Sequence, residues 1–110
     1  MKITFDDSKL SKYANDDRLA VRKLGQRMAE EFKLRLDDLY AAETLEDVRN
    51  LPGSYHELTS NRKGQWSCNL VHPYRLIFTP HEKPIPTNEH GQYIWLEIIG
   101  ITIVEIVDYH

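Results

Sequence analysis

The sequence has 110 residues and a mass of 12.9 kDa, is 41% hydrophobic and 28% charged, and carries a formal net charge of −3. No apolar run approaches the ~20 residues of a membrane span, and a lone cysteine, Cys68, rules out an internal disulfide and fits a reducing compartment. The acidic balance argues against unaided binding to bulk nucleic acid, whose affinity comes from Lys and Arg on phosphates, although a local basic patch is still allowed. Met1-Lys2-Ile3-Thr4-Phe5 lacks the long apolar segment of a secretory signal. One cytoplasmic domain over residues 1–110 is expected.

In chain order, Lys2 to Phe5 alternates polar and apolar residues, which predicts a short strand. Asp6-Asp7-Ser8 then forms a helix cap ahead of Leu10 and Tyr13. Asn15-Asp16-Asp17 opens a second helix with acids at its N-terminal end, where the helix dipole favours them. Val21, Leu24, Met28, Phe32, Leu36 and Leu39 recur at steps of three and four, predicting one helix with an apolar stripe running to about Ala42. Arg18, Arg22, Arg27, Lys33 and Arg35, interleaved with Glu30, Glu31, Asp37 and Asp38, read as its solvated face. Thr44 with Asp47 three residues on has the pattern of a capping box.

Leu51-Pro52-Gly53 ends the helical part and begins the sheet. His56-Glu57-Leu58 is a short strand, and Asn61-Arg62-Lys63-Gly64 is a hairpin loop. Trp66, Cys68 and Leu70 alternate with polar residues in the next strand, which predicts one buried face and one polar face. After the His72-Pro73 turn, Tyr74, Leu76 and Phe78 alternate with Arg75, Ile77 and Thr79. Arg75 thus stands among apolar neighbours, where a charge serves function or pairs with a carboxylate such as Glu57 or Glu105. Residues 80–91 read as a solvent-exposed insertion, and residues 94–99 as either a helical turn or a strand. The stretch 101–110 is apolar and β-branched up to Asp108-Tyr109-His110, and predicts a strand in the middle of the sheet that presents an acid, a phenol and an imidazole at its rim. Helices first and antiparallel strands afterwards make the fold class α+β.

All five histidines lie in the second half, at positions 56, 72, 81, 90 and 110. His56, the loop cations Arg62 and Lys63, Arg75 and the terminal triplet fall on one sheet, and if they converge they suit phosphodiester chemistry. Cleaving RNA by its own 2′-hydroxyl needs a base, an acid for the leaving 5′-oxygen, and positive charge for the phosphorane. Histidine serves at either proton step. No Gly-rich phosphate loop, cysteine pair or His-Glu-x-x-His helix is present. Cys68 sits on the apolar side of its strand and is not expected to act as a nucleophile. His72, His81 and His90 read as solvated surface.

Leu51-Pro52-Gly53, His56-Glu57-Leu58, Arg62-Lys63-Gly64-Gln65-Trp66-Ser67, Tyr74-Arg75-Leu76-Ile77-Phe78 and Val107-Asp108-Tyr109-His110 together resemble the HigB-like "killer protein" branch of the RelE/ParE toxin superfamily. The resemblance implies two to three N-terminal helices on a small antiparallel or mixed sheet, and the toxin of a type II toxin–antitoxin pair. It implies an mRNA endonuclease that enters the ribosomal A site and works without a metal or other cofactor. Its partner would be a helix-turn-helix HigA-like antitoxin, through which the complex would bind operator DNA. By motif, His56, Asp108, Tyr109 and His110 correspond to the catalytic group, with Arg62, Lys63 and Arg75 near the substrate phosphates. Two other readings of the same fold remain: a ParE-like toxin that inhibits DNA gyrase without catalysis, and an inactive regulator that only binds antitoxin.

Overall fold

The computed structural model describes residues 1–108; Tyr109 and His110 lie outside the described residues. Strand β1 (Lys2–Phe5) leads into helices α1 (Ser8–Asn15), α2 (Asp17–Leu24) and α3 (Gln26–Ala41). A 3₁₀ turn over Leu45–Val48 precedes β2 (His56–Glu57), and a second over Ser60–Arg62 precedes β3 (Trp66–Asn69) and β4 (Tyr74–Pro80). A third, over Trp95–Glu97, leads into β5 (Gly100–Asp108).

The local signals act as the sequence predicts at the first two helix starts. The Asp7 carboxylate accepts from the backbone amides of Lys9 and Leu10 at 2.8 and 3.3 Å, and Asp16 accepts from Leu19 at 3.1 Å. Thr44 and Asp47 form the reciprocal capping box. The single long helix is not observed, because Gly25 splits it. At φ +86° this residue adopts the left-handed region glycine enters freely, donates its N–H to the Val21 carbonyl at 2.9 Å to close α2, and starts α3 at once. The apolar period continues through the break, so spacing alone conceals it.

The five strands run in the order β1-β5-β4-β3-β2. β1 pairs with β5 in parallel, Phe5 opposite Ile103, and the other neighbours are antiparallel. β5 therefore lies inside the sheet, between the first strand of the chain and β4. The three helices cover one side. There Phe32, Leu36 and Leu39 of α3 share a core with Trp66, Cys68, Leu76, Phe78, Ile101 and Ile103. The fold is α+β with three helices on a mixed sheet, as expected.

Arg35 is not part of the solvated face of α3. Only 8% exposed, it donates from Nε to the Asn69 carbonyl at 2.8 Å and pairs with Glu31 at 3.2 Å. It also lies against Gly53, where a Cβ would stand 2.7 Å from its Nε. A charge is tolerated there because Nε and one terminal nitrogen are met by a carbonyl and a carboxylate, although the other terminal nitrogen is buried with no hydrogen-bond partner among the described residues. The 80–91 segment is less detached than predicted: Pro80 ends β4, and Ile85 packs half-buried against the core. Residues 94–99 contain a helical turn whose Trp95 is buried, with Arg49 stacked 3.8 Å over its ring. Among the described residues no helix is long and apolar enough to cross a membrane.

Candidate functional site

Because pleated strands send alternate side chains to opposite faces, the strand registers decide which groups meet. His56 pairs with Ser67, Ser67 with Ile77, and Ile77 with Glu105, so these four form one row across the face away from the helices. Two residues along, Asn69, Arg75 and Val107 form a second row on that same face. With strands ~4.8 Å apart and ~3.4 Å per residue, the Cα atoms of His56 and Arg75 lie about 12 Å apart. The imidazole and the guanidinium therefore share a surface.

His56 is exposed at the edge of the sheet, yet its ring is oriented. Nδ1 lies 2.7 Å from the Ser54 carbonyl, which can only accept, so Nδ1 carries the proton and Nε2 is the lone-pair nitrogen of the neutral ring. Nε2 faces the Ser67 hydroxyl at 3.4 Å, the outer limit of a hydrogen bond. Ser67 is fully buried, a placement that simple alternation of polar and apolar faces did not predict. The Ser54 carbonyl is itself fixed in direction: Ser54 has φ +50°, and the preceding Gly53 accepts from the Asn69 amide at 2.7 Å. Arg35 locks the same corner from behind through Asn69 and Gly53. A buried helix cation thus sits beneath the turn that aims His56, with no local sequence signal to mark it.

Arg62 reaches from its loop across the outer face, donating to Gln65 at 3.0 Å and standing 3.7 Å from Glu105 on β5. Ile77, the register partner of Glu105 on β4, is fully buried on the same face. Glu105, which the sequence offered as a partner for Arg75, thus faces Arg62. Glu57 accepts from the Trp95 indole N–H at 2.7 Å. Arg75 is half-buried between Asn69 and Val107. Lys63 is exposed in the loop beside Arg62.

Asp108 ends β5 opposite Tyr74, at the rim of the sheet. Its place in the pleat is opposite to that of Val107, so it belongs to the helix side of the rim rather than to the rows containing His56 and Arg75. The structure therefore brings His56, Arg75 and Arg62 to one face, places Asp108 at its border, and leaves Tyr109 and His110 outside the described residues.

The remaining titratable groups do not add a second centre of chemistry. Burial pushes the Cys68 thiol up to about 12, with Arg35 opposing, and the side chain is fully enclosed. Burial, reinforced by Cys68, likewise raises Tyr55, whose hydroxyl donates to the Arg35 carbonyl at 3.3 Å. His81 hydrogen-bonds the Thr4 hydroxyl at 2.8 Å, while His72 and His90 are exposed. No three potential metal ligands gather among the described residues.

A family model described as "RelE-like toxin of type II toxin-antitoxin system HigB" matches residues 3–89, most of the chain, from within β1 to beyond β4. The chain belongs to this HigB-like toxin family. Solved structures agree on the fold. A YoeB–YefM complex from Staphylococcus aureus aligns with a TM-score of 0.57 and 18% identity, over 100% of this chain and 97% of that one. The YoeB dimer from the same organism aligns at 0.55 and 19%, with the same coverage. A YoeB/ParE toxin from Agrobacterium tumefaciens aligns at 0.52 and 15%, over 100% of both chains. No curated protein matches. The HigB-like toxin thus has its family from the sequence model and its architecture from the solved structures.

Proposed function

We propose that this HigB-like toxin is a ribosome-dependent mRNA endonuclease, cleaving RNA by attack of the 2′-hydroxyl on the adjacent phosphate. The observation that carries the reading is the outer face of the sheet. His56 there offers an Nε2 of defined tautomer with only a long 3.4 Å contact to the Ser67 hydroxyl, on the same surface as Arg75 and Arg62. An imidazole so held can take or return a proton, and fixed guanidinium charge stabilises the phosphorane's added negative charge. His110 is the second proton-transfer group, Tyr109 stacks on a base or assists transfer, and Asp108 orients its neighbours. Arg75 and Lys63 hold phosphate. Arg62 joins them by exchanging its loose 3.7 Å contact with Glu105 for the substrate.

The net charge of −3 suits a toxin that meets its message on the ribosome, which supplies most of the message binding. Its partner is an antitoxin of the helix-turn-helix HigA kind, through which the pair binds operator DNA. Induced expression with mapping of new message 5′ ends tests the reading. Wild type yields new ends within translated frames and His110→Ala does not. Growth arrest with intact messages, equal in wild type and His110→Ala, would instead favour a non-enzymatic toxin such as a gyrase inhibitor.

A further inference from the structure

Two shallow grooves of about 430 and 440 Å³ share Leu24, Met28 and Tyr74 on the helix side of the sheet's C-terminal rim. Their floor is apolar, with Met28, Leu24 and Ile106 half-buried. Around them stand three exposed cations from three helices: Lys9 of α1, Lys23 of α2 and Arg27 of α3. Among the described residues none of these side chains has an ion pair or hydrogen bond. The two carboxylates in the wall are engaged elsewhere, Asp7 in capping α1 at 2.8 Å and Glu105 facing Arg62 at 3.7 Å. The grooves thus hold three cations against two carboxylates, a small positive excess on a chain that is acidic overall, with Asp108 opposite Tyr74 at the border.

Tyr74 joins the two grooves. It is 41% exposed and, among the described residues, stacks on no aromatic ring. It is also the residue before Arg75, and the pleat turns Arg75 to the outer face while Tyr74 stays on the helix side. A strand of RNA whose phosphate lies at Arg75 passes over this rim directly onto Tyr74. An aromatic platform flanked by unpaired cations is the arrangement by which proteins hold single-stranded nucleic acid without reading its sequence.

We propose that this groove is a subsite for the nucleotides flanking the scissile bond, with a base stacked on Tyr74 and phosphates against Lys9, Lys23 and Arg27. The inference rests on the reading of the outer face as RNA-cleaving, and it adds a second, helix-side segment to the path of the message. A partner segment rich in carboxylates would satisfy the cations but has no use for the exposed ring.

The test uses the full chain and a fluorescein-labelled 2′-fluoro RNA hexamer, which lacks the attacking hydroxyl and cannot be cut, with binding read by anisotropy at two salt concentrations. Tyr74→Ala is expected to weaken binding about tenfold, within the range of a lost base stack, while Tyr74→Phe retains it. Replacing Lys9, Lys23 and Arg27 together by Gln is expected to lower the salt slope by about 2. Arg18→Gln, a cation of α2 outside the groove, leaves binding unchanged. No binding by the wild type, equal loss in Arg18→Gln and the groove variants, or indifference to Tyr74→Ala would overturn the assignment. So would a hexaglutamate peptide that competes equally well against wild type and Tyr74→Ala. Message cleavage, scored separately on ribosomes, separates the two claims. Cleavage that ignores the groove variants removes the subsite alone, whereas hexamer binding without any cleavage removes the endonuclease reading and leaves the groove a nucleic-acid site.

Discussion

The two faces of the sheet are built from the same strands by opposite means. On the helix side, Trp66, Cys68, Leu76, Phe78, Ile101 and Ile103 are fully enclosed, and volume determines what fits. On the outer side, His56, Ser67, Ile77, Glu105 and Arg75 occupy the alternate positions, Arg62 reaches across from its loop, and polar partners orient His56 and Arg62. One face is core throughout, and the other, around the buried Ile77 and Ser67, carries the groups proposed for catalysis. Substitutions on the helix side should accordingly cost stability, and those at the exposed or half-buried polar positions of the outer side should cost activity.

The largest break in stability should come from the helix side. Phe78→Ala, deleting a fully buried ring packed 6.4 Å from Tyr55, is expected to cost about 3–5 kcal/mol in denaturant unfolding. Next is the corner that joins the two faces. Gly53→Ala forces a side chain into φ +118° and against Arg35, for a loss of about 2 kcal/mol. Because that corner also sets the Ser54 carbonyl, Gly53→Ala should in addition loosen the His56 tautomer, measurable by ¹⁵N shifts of the imidazole.

Alkaline pH should weaken the helix side specifically. The Cys68 thiol holds its proton to about 12 in the folded chain, against 9.0 for an unperturbed thiol, and Tyr55 is also raised. The unfolded chain therefore releases these protons first as pH rises. Stability from this source is complete below about pH 9 and falls through the window up to about 12, with a slope near 1.4 kcal/mol per pH unit for one group. Cys68→Ala is expected to remove the Cys68 share of that slope and leave the share from Tyr55. The smallest effect belongs to the Arg49–Trp95 stack. Arg49→Ala, which removes the cation stacked on Trp95, should cost about 0.5–1 kcal/mol and alter indole fluorescence.

Much of this division was legible in the sequence because strand alternation has a strict period of two. The alternation of Trp66, Cys68 and Leu70 identified the buried face, and Arg75 stood out by its place among apolar neighbours. Helix caps at Asp7 and Asp16 and the Thr44–Asp47 box were legible because their chemistry is local. What escaped depends on residues distant in sequence. Arg35 is buried only because Asn69 and Gly53, 34 and 18 positions away, receive it. Ser67 is enclosed on the nominally polar face, where Arg62 crosses to Glu105. Gly25 went unnoticed because the apolar stripe keeps its phase through the break, and the basic groove because Lys9, Lys23 and Arg27 belong to three different helices.

The most direct test of the division is His56→Ala, measured in parallel for cleavage of a translated message on purified ribosomes and for unfolding in denaturant. Cleavage is expected to fall by about 10²–10⁴, the range for losing a proton-transfer group, while stability stays within about 0.5 kcal/mol of wild type. Cleavage within a few-fold of wild type, or a loss matched by an equivalent drop in stability, would contradict the assignment of chemistry to the outer face.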